Sequence, residues 1–324
     1  MESTKIIIVG AGAVGGLFAF RFSQHPSVEV SLICRSNYEQ VNSSGIQIDS
    51  EQYGEHIYRP SKVFRSIEEA SKSGSIFDFI VITMKNIPEL GSIADMIEPL
   101  TSKQSTIVLL QNGLGIEKPF FEKFPETPII SGVCMVAVSQ FNPGKLIHKK
   151  TINLTFGSYP KAKENACKSS MNLFSDIVLK ATIDFQVSTD IELTRWSKLL
   201  WNGSFSPICI LAGGCDTFYI HEDSDARNLI KNTMLEIKSL AERVFGTEIN
   251  YGPYSSIDEY IDSTAGVHYK PSLLLDYERK YPLELEVTLG AAIRAAREID
   301  YHVPIITTLY SLLKLSDRKN RGVL

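Results

Sequence analysis

The clearest hydrophobic pattern in the chain is an apolar run close to its start. Ile6 to Val9 are consecutive apolar residues, which is typical of a strand buried on both faces of a parallel sheet. Further strands are predicted at 28–33, 79–83 and 106–110, and helical patterns separate them. This alternation predicts an α/β fold with a doubly wound, Rossmann-like sheet at the N-terminus.

The pattern changes in the remainder of the chain. Strands predicted at 128–138 and 145–157 flank the turn signal Asn142-Pro143-Gly144 and should therefore be antiparallel. From Asp190 onward the pattern is helical throughout. We therefore predict two domains, a Rossmann-like domain at 1–187 and an all-helical domain at 188–324.

The turn after the first strand carries a glycine motif. It reads Gly10-Ala11-Gly12-Ala13-Val14-Gly15 and opens a helical pattern. In G-x-G-x-x-G, the first glycine allows a tight turn, the second lets a pyrophosphate approach, and the third allows close packing of helix on strand. The strand before it and the helix after it favour a dinucleotide site over an ordinary glycine-rich turn.

The end of the second predicted strand bears on the choice of dinucleotide. An acidic residue there would accept a hydrogen bond from the ribose 2′-hydroxyl of NAD, but the sequence reads Cys34-Arg35-Ser36. The planar guanidinium of Arg35 suits a 2′-phosphate, which predicts NADPH, although Arg35 as a solvated surface residue stays an alternative. Lys85 and Asn112 follow two later strands and should lie at the same sheet edge.

The helical domain opens with an unusual stretch, Trp196 to Pro207. Lys198, Asn202 and Ser206 are spaced i, i+4, i+8, which predicts one face of a helix that Pro207 kinks or ends. Lys198 is either a lysine at the edge of a core helix or a cleft residue that exchanges protons. A later helix is predicted at 283–300, with Glu284 in its first turn. Its carboxylate is either stabilised there by the helix dipole or faces the same cleft as Lys198.

Composition and charge argue against several classes of function. The net charge of −4 argues against nonspecific nucleic-acid binding, and the sequence has no apolar run long enough to span a bilayer. The first strand leaves no room for a signal peptide. Five scattered cysteines and six histidines without ligand spacing indicate reduced thiols and no metal site. We expect a cytoplasmic protein with a small-molecule substrate and without nucleic-acid or membrane partners; a homodimer is left open.

Taken together, these motifs resemble the ketopantoate reductases (2-dehydropantoate 2-reductases) over almost the whole chain. The resemblance rests on the glycine motif, Arg35, Lys85, Gln111-Asn112-Gly113, Trp196-Ser197-Lys198 with Asn202, Lys270-Pro271-Ser272, and Glu284. It implies NADPH-dependent reduction of ketopantoate to pantoate, a step toward pantothenate and coenzyme A, in a cleft between the two domains.

The resemblance also implies roles for individual residues. Lys198 is the general acid, and Glu284 is a carboxylate near both Lys198 and the cofactor. Asn202 and Ser272 bind substrate, Lys85 and Asn112 lie beside the nicotinamide, and Arg35 binds the 2′-phosphate. Two positions depart from the family pattern, since Ser206 and Asp216 stand where asparagines are usual. Both would face the hydroxyl and carboxylate end of the substrate.

Two alternatives follow from these observations. The departures at Ser206 and Asp216 favour a D-2-hydroxyacid dehydrogenase of the same superfamily that acts on another 2-keto acid. A noncatalytic NADPH-binding regulator on the same fold is the alternative from a different class. The joint presence of Lys198, Asn202, Ser272 and Glu284 argues against the regulator.

Overall fold

The computed structural model describes residues 3–324, which divide into two compact units. The first unit runs to Lys85 and also contains Ser92–Gln111 and Ile116–Ile191. The second unit consists of Asn86–Gly91, Asn112–Gly115 and Glu192–Leu324. Two short segments from the N-terminal half therefore group with the helical half. The boundary that we place between residues 187 and 188 stays a prediction.

The named strands of the described chain all lie in the first unit and form one sheet. They are β1 (Thr4–Val9), β2 (Val28–Ile33), β3 (Ile46–Ser50), β4 (Gly54–Tyr58), β5 (Lys62–Phe64), β6 (Phe79–Ile82), β7 (Thr106–Leu109), β8 (Ile129–Asn142), β9 (Lys145–Tyr159) and β10 (Asp184–Val187). Their order is β4-β3-β9-β8-β7-β6-β1-β2-β5, and β10 pairs with β9. From β5 to β8 all neighbours are parallel, and the predicted antiparallel pairing of β8 with β9 is confirmed.

Six α-helices accompany this sheet in the described part of the first unit. They are α1 (Ala13–Phe22), α2 (Tyr38–Ser44), α3 (Ile67–Lys72), α4 (Ile93–Ile97), α5 (Lys118–Lys123) and α6 (Glu164–Lys180). Phe174 of α6 packs against Phe22 of α1 and Phe156 of β9, with ring centroids 5.7 and 4.9 Å apart. These rings are fully buried, and their packing fixes α1 and its N-terminal turn relative to the sheet.

The second unit is helical in its named elements, which confirms the predicted fold class. Its helices are α7 (Ile191–Asn202), α8 (Phe205–Leu211), α9 (Thr217–Glu222), α10 (Ser224–Phe245), α11 (Ile257–Asp262), α12 (Ser272–Glu278), α13 (Leu289–Glu298) and α14 (Pro304–Arg321). Ile230, Met234, Ile237 and Ala241 form the buried stripe of α10 at helical spacing. Across residues 3–324, no helix has the length and apolar character needed to cross a bilayer.

The prediction of one continuous helical face from Lys198 to Ser206 is wrong. Helix α7 ends at Asn202, and Ser206 lies on the separate helix α8. The break comes at Gly203, where a Cβ atom would meet Leu199 O and Ile237 Cδ1, each at 2.8 Å. Pro207 neither kinks nor ends a helix, because it occupies the first turn of α8, where a missing N–H is tolerated.

The placement of Glu284 in the first turn of a helix is also wrong. Helix α13 begins only at Leu289, and Glu284 lies in the preceding segment. The side chain of Thr288 donates to the Glu284 carbonyl, and Gly290 N donates to Leu285 O, so this segment turns before the helix starts. A helix dipole therefore does not explain this carboxylate.

Candidate active site

The turn between β1 and α1 requires glycine at two positions. Gly10 has a φ of +112°, and a Cβ atom there would lie 2.5 Å from Met84 N. A Cβ atom at Gly15 would lie 2.0 Å from Gly10 O. The first and third glycines of the motif therefore serve the turn and the packing of helix on strand.

The middle glycine faces open space. Gly12 is exposed, and a Cβ atom there would have no neighbour within 4 Å among the described residues. Gly12 is also the N-cap of α1 and provides no side-chain cap for the helix. Its neighbour Ala11 is buried, and Ala13 and Val14 form the first turn of α1. Main-chain N–H groups at a helix start together with an open approach fit a pyrophosphate, so these residues suit a dinucleotide.

Two side chains hold the glycine turn in place. Asn37 Nδ2 donates to Ala11 O at 2.6 Å, and Thr83 Oγ1 donates to Gly10 O at 2.6 Å. Neither residue is among the predicted site residues. Asn37 follows Arg35 by two positions, and Thr83 follows β6 directly. Their proximity to strand ends is the sequence feature that could have identified them.

The neighbouring strand end is fixed by Gln111. Its Nε2 donates to Met84 O at 2.5 Å, and Gln111 itself is buried. Lys85, the next residue after Met84, is exposed. The predicted convergence of strand ends in the first unit is thus observed for the glycine turn and for the residues that precede Lys85.

Arg35 is the second residue after β2 and is exposed. The nearest carboxylate after it is Glu39, which pairs with Arg65 Nη2 at 2.8 Å. Burial raises the pKa of the preceding Cys34 thiol to about 12, so this thiol stays protonated. A cationic side chain is therefore the chemically distinctive group at this strand end.

In the second unit, Lys198 and Asn112 are in direct contact. Lys198 Nζ donates to Asn112 Oδ1 at 2.8 Å, and both side chains are half-buried. Asn202 lies one turn further along α7, on the same face as Lys198. The structure thus brings together the ammonium of Lys198 and the side-chain amide of Asn112.

Glu284 is held by a main-chain group that the sequence did not indicate. Its Oε1 accepts from Asn86 N at 2.9 Å, and the residue is only 8% exposed. Leu114 N donates to Val287 O at 2.7 Å, so the segment containing Glu284 also contacts the loop containing Asn112. Lys198, Asn112 and Glu284 therefore belong to one hydrogen-bonded region of the second unit, although they come from distant parts of the sequence.

The remaining predicted substrate residues lie on three different elements of the second unit. Ser206 is buried on α8, and Ser272 is the exposed first residue of α12. Asp216 is the N-cap of α9, where its Oδ1 accepts from Phe218 N at 3.0 Å. Its Oδ2 accepts from His268 Nδ1 at 2.9 Å. The Asp216 carboxylate therefore caps helix α9.

Two further residue classes, metal ligands and the thiol of Cys209, can be described from the structure of residues 3–324. No cluster of three or more histidine, cysteine, aspartate or glutamate side chains there suits a metal ion. Burial, together with the charge of Asp216, raises the pKa of Cys209 to about 12.

Comparison with known proteins gives two family-model matches in this chain. The family model "Ketopantoate reductase PanE/ApbA" matches residues 6–161, and the model for the C-terminal part of the same family matches residues 190–317. A 2-dehydropantoate 2-reductase of Nostoc sp. is 28% identical over 323 residues, which cover 99% of this chain and 98% of the relative.

Solved structures show the same fold over the full length. A 2-dehydropantoate 2-reductase from Methylococcus capsulatus is 29% identical with a TM-score of 0.82, covering 98% of this chain and 97% of its own. A D-mandelate dehydrogenase solved with NADH and anilino(oxo)acetate is 22% identical with a TM-score of 0.83, covering 98% and 99%, and shares the fold. The two family models together span most of the sequence. The chain therefore belongs to the ketopantoate reductase family of NADP-dependent oxidoreductases.

Proposed function

We propose that this protein reduces ketopantoate to pantoate with NADPH. The observation that carries the proposal is the 2.8 Å hydrogen bond from Lys198 Nζ to Asn112 Oδ1, in the same bonded region as the buried Glu284. Bound NADPH would supply the hydride. The protein has to supply a proton to the carbonyl oxygen, orientation and a suitable electrostatic environment.

Lys198 is the general acid in this proposal. The carbonyl oxygen of a 2-keto acid gains negative charge as hydride adds to its carbon, and an ammonium group stabilises that charge and then protonates it. Asn112 directs the ammonium, because its amide oxygen accepts one of the three N–H donors of Lys198. Glu284 provides a carboxylate in the same region, held there by the hydrogen bond from Asn86 N.

The glycine turn and Arg35 hold the cofactor in this proposal. The main-chain N–H groups at the start of α1 bind the pyrophosphate, and Gly12 leaves room for it. Arg35 binds the 2′-phosphate, and Lys85 lies toward the nicotinamide. Asn202, Ser206 and Ser272 bind the 2-keto acid. Pantoate then enters pantothenate and coenzyme A synthesis, in the cytoplasm.

A second candidate is a D-2-hydroxyacid dehydrogenase that prefers a different 2-keto acid. The specific observation in its favour is Ser206, which is buried and has a shorter side chain than the asparagine usual in this family. Such a position leaves room for a bulkier substrate. The Asp216 carboxylate favours this candidate less, because Phe218 N and His268 already bind it.

The experiment is steady-state kinetics of NADPH oxidation with a panel of 2-keto acids that includes ketopantoate. The proposal expects the highest kcat/KM for ketopantoate. A clear preference for another 2-keto acid would select the dehydrogenase. NADPH binding without turnover of any member would select the noncatalytic regulator.

Two variants test the assigned roles within that experiment. Lys198→Ala should lower kcat by roughly 10²–10⁴-fold without changing the KM for NADPH, because it removes the proton donor. Arg35→Ala is the matched control, since it should raise the KM for NADPH and leave the kinetics with NADH nearly unaffected. Unchanged turnover in Lys198→Ala would remove this lysine from the mechanism.

A further inference from the structure

Helix α7 contacts the loop 112–115 through a second cation besides Lys198. Arg195 is 4% exposed, and its Nη1 donates to Gly113 O at 3.2 Å. Arg195 and Lys198 are spaced i, i+3 and lie on neighbouring positions of one helical face. Their acceptors belong to consecutive residues, because Lys198 donates to the side chain of Asn112.

The loop that these two residues contact has little conformational freedom. Gly113 has a φ of +109°, and a Cβ atom there would lie 2.8 Å from Val287 Cβ, Cγ2 and O. Leu114 N donates to Val287 O at 2.7 Å. One side of the loop is thus fixed by the segment 283–288, and the other side is fixed by α7. A shift of Gly113 O would move the preceding Asn112 side chain with it.

We propose that Arg195 is a positioning residue for the general acid. Its guanidinium holds Gly113 O, which fixes the Asn112 amide oxygen, and that oxygen directs Lys198 Nζ toward the substrate carbonyl. A guanidinium suits this task because it is planar and always charged, and its donors have a fixed geometry. This inference rests on the proposed function, in which Lys198 is the proton donor.

The loss expected on removing Arg195 follows from the precision that proton transfer needs. A misplacement of about 1 Å can cost about 10²-fold in rate, even when the reacting groups are unchanged. Arg195→Met keeps much of the apolar volume and removes every donor. We expect it to lower kcat by about 10- to 100-fold and to leave the KM for NADPH within about twofold of the wild type.

The experiment compares three substitutions with a matched control. Arg195→Lys and Arg195→Gln each retain an N–H donor. The kcat of both should therefore be up to about tenfold higher than that of Arg195→Met. Arg243→Met removes an arginine of the same unit that packs over the Tyr301 ring, and it should leave kcat unchanged. Thermal unfolding of every variant separates misfolding from misplacement.

Each outcome decides the proposal. Wild-type kcat in Arg195→Met overturns it, and so does an equal loss in all three variants with a raised KM for NADPH. If Arg195→Met does not fold, the decision rests on Arg195→Gln and Arg195→Lys. A kcat between about a tenth and a half of wild type in both, with the KM for NADPH unchanged, upholds the proposal, whereas wild-type kcat in both or a greater loss from either folded variant overturns it.

Failure of the proposed function would look different. If another 2-keto acid is preferred, the same measurements on that acid test Arg195 unchanged. If wild-type protein turns over no 2-keto acid, the proposed function fails, and the role of Arg195 fails with it. If Lys198→Ala abolishes turnover and Arg195→Met does not reduce it, only the inference about Arg195 fails.

Discussion

The two units of this protein build their polar sites in different ways. In the first unit, the glycine turn proposed to bind the cofactor consists of consecutive residues, Gly10 to Gly15. In the second unit, Lys198, Asn112 and Glu284 come from segments that lie far apart in sequence. The first site is specified locally, whereas the second exists only after long-range contacts have formed. Substitutions should therefore act differently on the two.

The largest effect is expected in the local site. Gly15→Ala should abolish NADPH binding or folding, because the added Cβ atom would lie 2.0 Å from Gly10 O. Gly12→Ala is the matched control, since the same methyl group meets open space in the protein. It should fold with wild-type thermal stability and weaken NADPH binding, as measured by fluorescence titration. Equal thermal stability and equal affinity for both variants would contradict the assigned roles.

A smaller effect is expected in the dispersed site. Gly113→Ala forces the loop 112–115 away from Val287, and we expect kcat to fall by about 10²-fold from the resulting displacement of Asn112. Gly115→Ala is the control, because Gly115 also has a positive φ, of +65°, yet a Cβ atom there has no neighbour within 4 Å among the described residues. Steady-state kinetics should show the loss for Gly113→Ala alone. Equal losses would indicate backbone strain as the cause.

The smallest effect concerns stability in acid, where the two units should respond in different pH windows. In the first unit, burial lowers the pKa of His148 below its usual 6.5. The unfolded state therefore binds a proton more readily, and stability should decline as the pH falls below about 6.5. In the second unit, Glu286 is partly buried, yet hydrogen bonds from Tyr310, Lys314 and Arg294 lower its pKa from 4.5 to about 2. Its contribution is present above pH 4.5 and declines as the pH falls from there toward 2.

An acid titration with two probes checks these windows. Both tryptophans, Trp196 and Trp201, belong to the second unit, so their fluorescence follows that unit alone. Circular dichroism follows both units. The circular dichroism signal should begin to change at a higher pH than the fluorescence. His148→Gln should reduce this difference in onset pH. Coincident transitions in the wild type would show that the units unfold together.

Features with local causes were predictable from the sequence. The strand β1, the glycine turn and the antiparallel pair β8–β9 follow from apolar runs, glycine spacing and a turn signal within a few residues. The N-caps of α10 and α11, Asp223 and Ser256, are also residue types that favour a helix start, and each side chain accepts a hydrogen bond from a main-chain N–H three residues on.

Features with distant causes were not predictable. The break after Asn202 depends on the contact of Gly203 with Ile237 of α10. The carboxylate of Glu284 accepts from Asn86 N, a main-chain group 198 positions away that has no sequence signature. The family resemblance drew attention to Lys198, Asn112 and Glu284, but their hydrogen-bond partners were visible only in the folded chain.

The two short segments 86–91 and 112–115 affect what recombination between related genes can exchange. They are encoded in the N-terminal half of the chain but complete the second unit. A recombination event with a breakpoint near residue 190 would join the helical half of one parent to these segments from another. Such a chimaera would combine Lys198 and Glu284 with a foreign Asn86 and Asn112. Under the proposed function, turnover should therefore depend on three linked blocks of sequence, and exchange of the C-terminal half alone should preserve it only where the two parents agree in the segments 86–91 and 112–115.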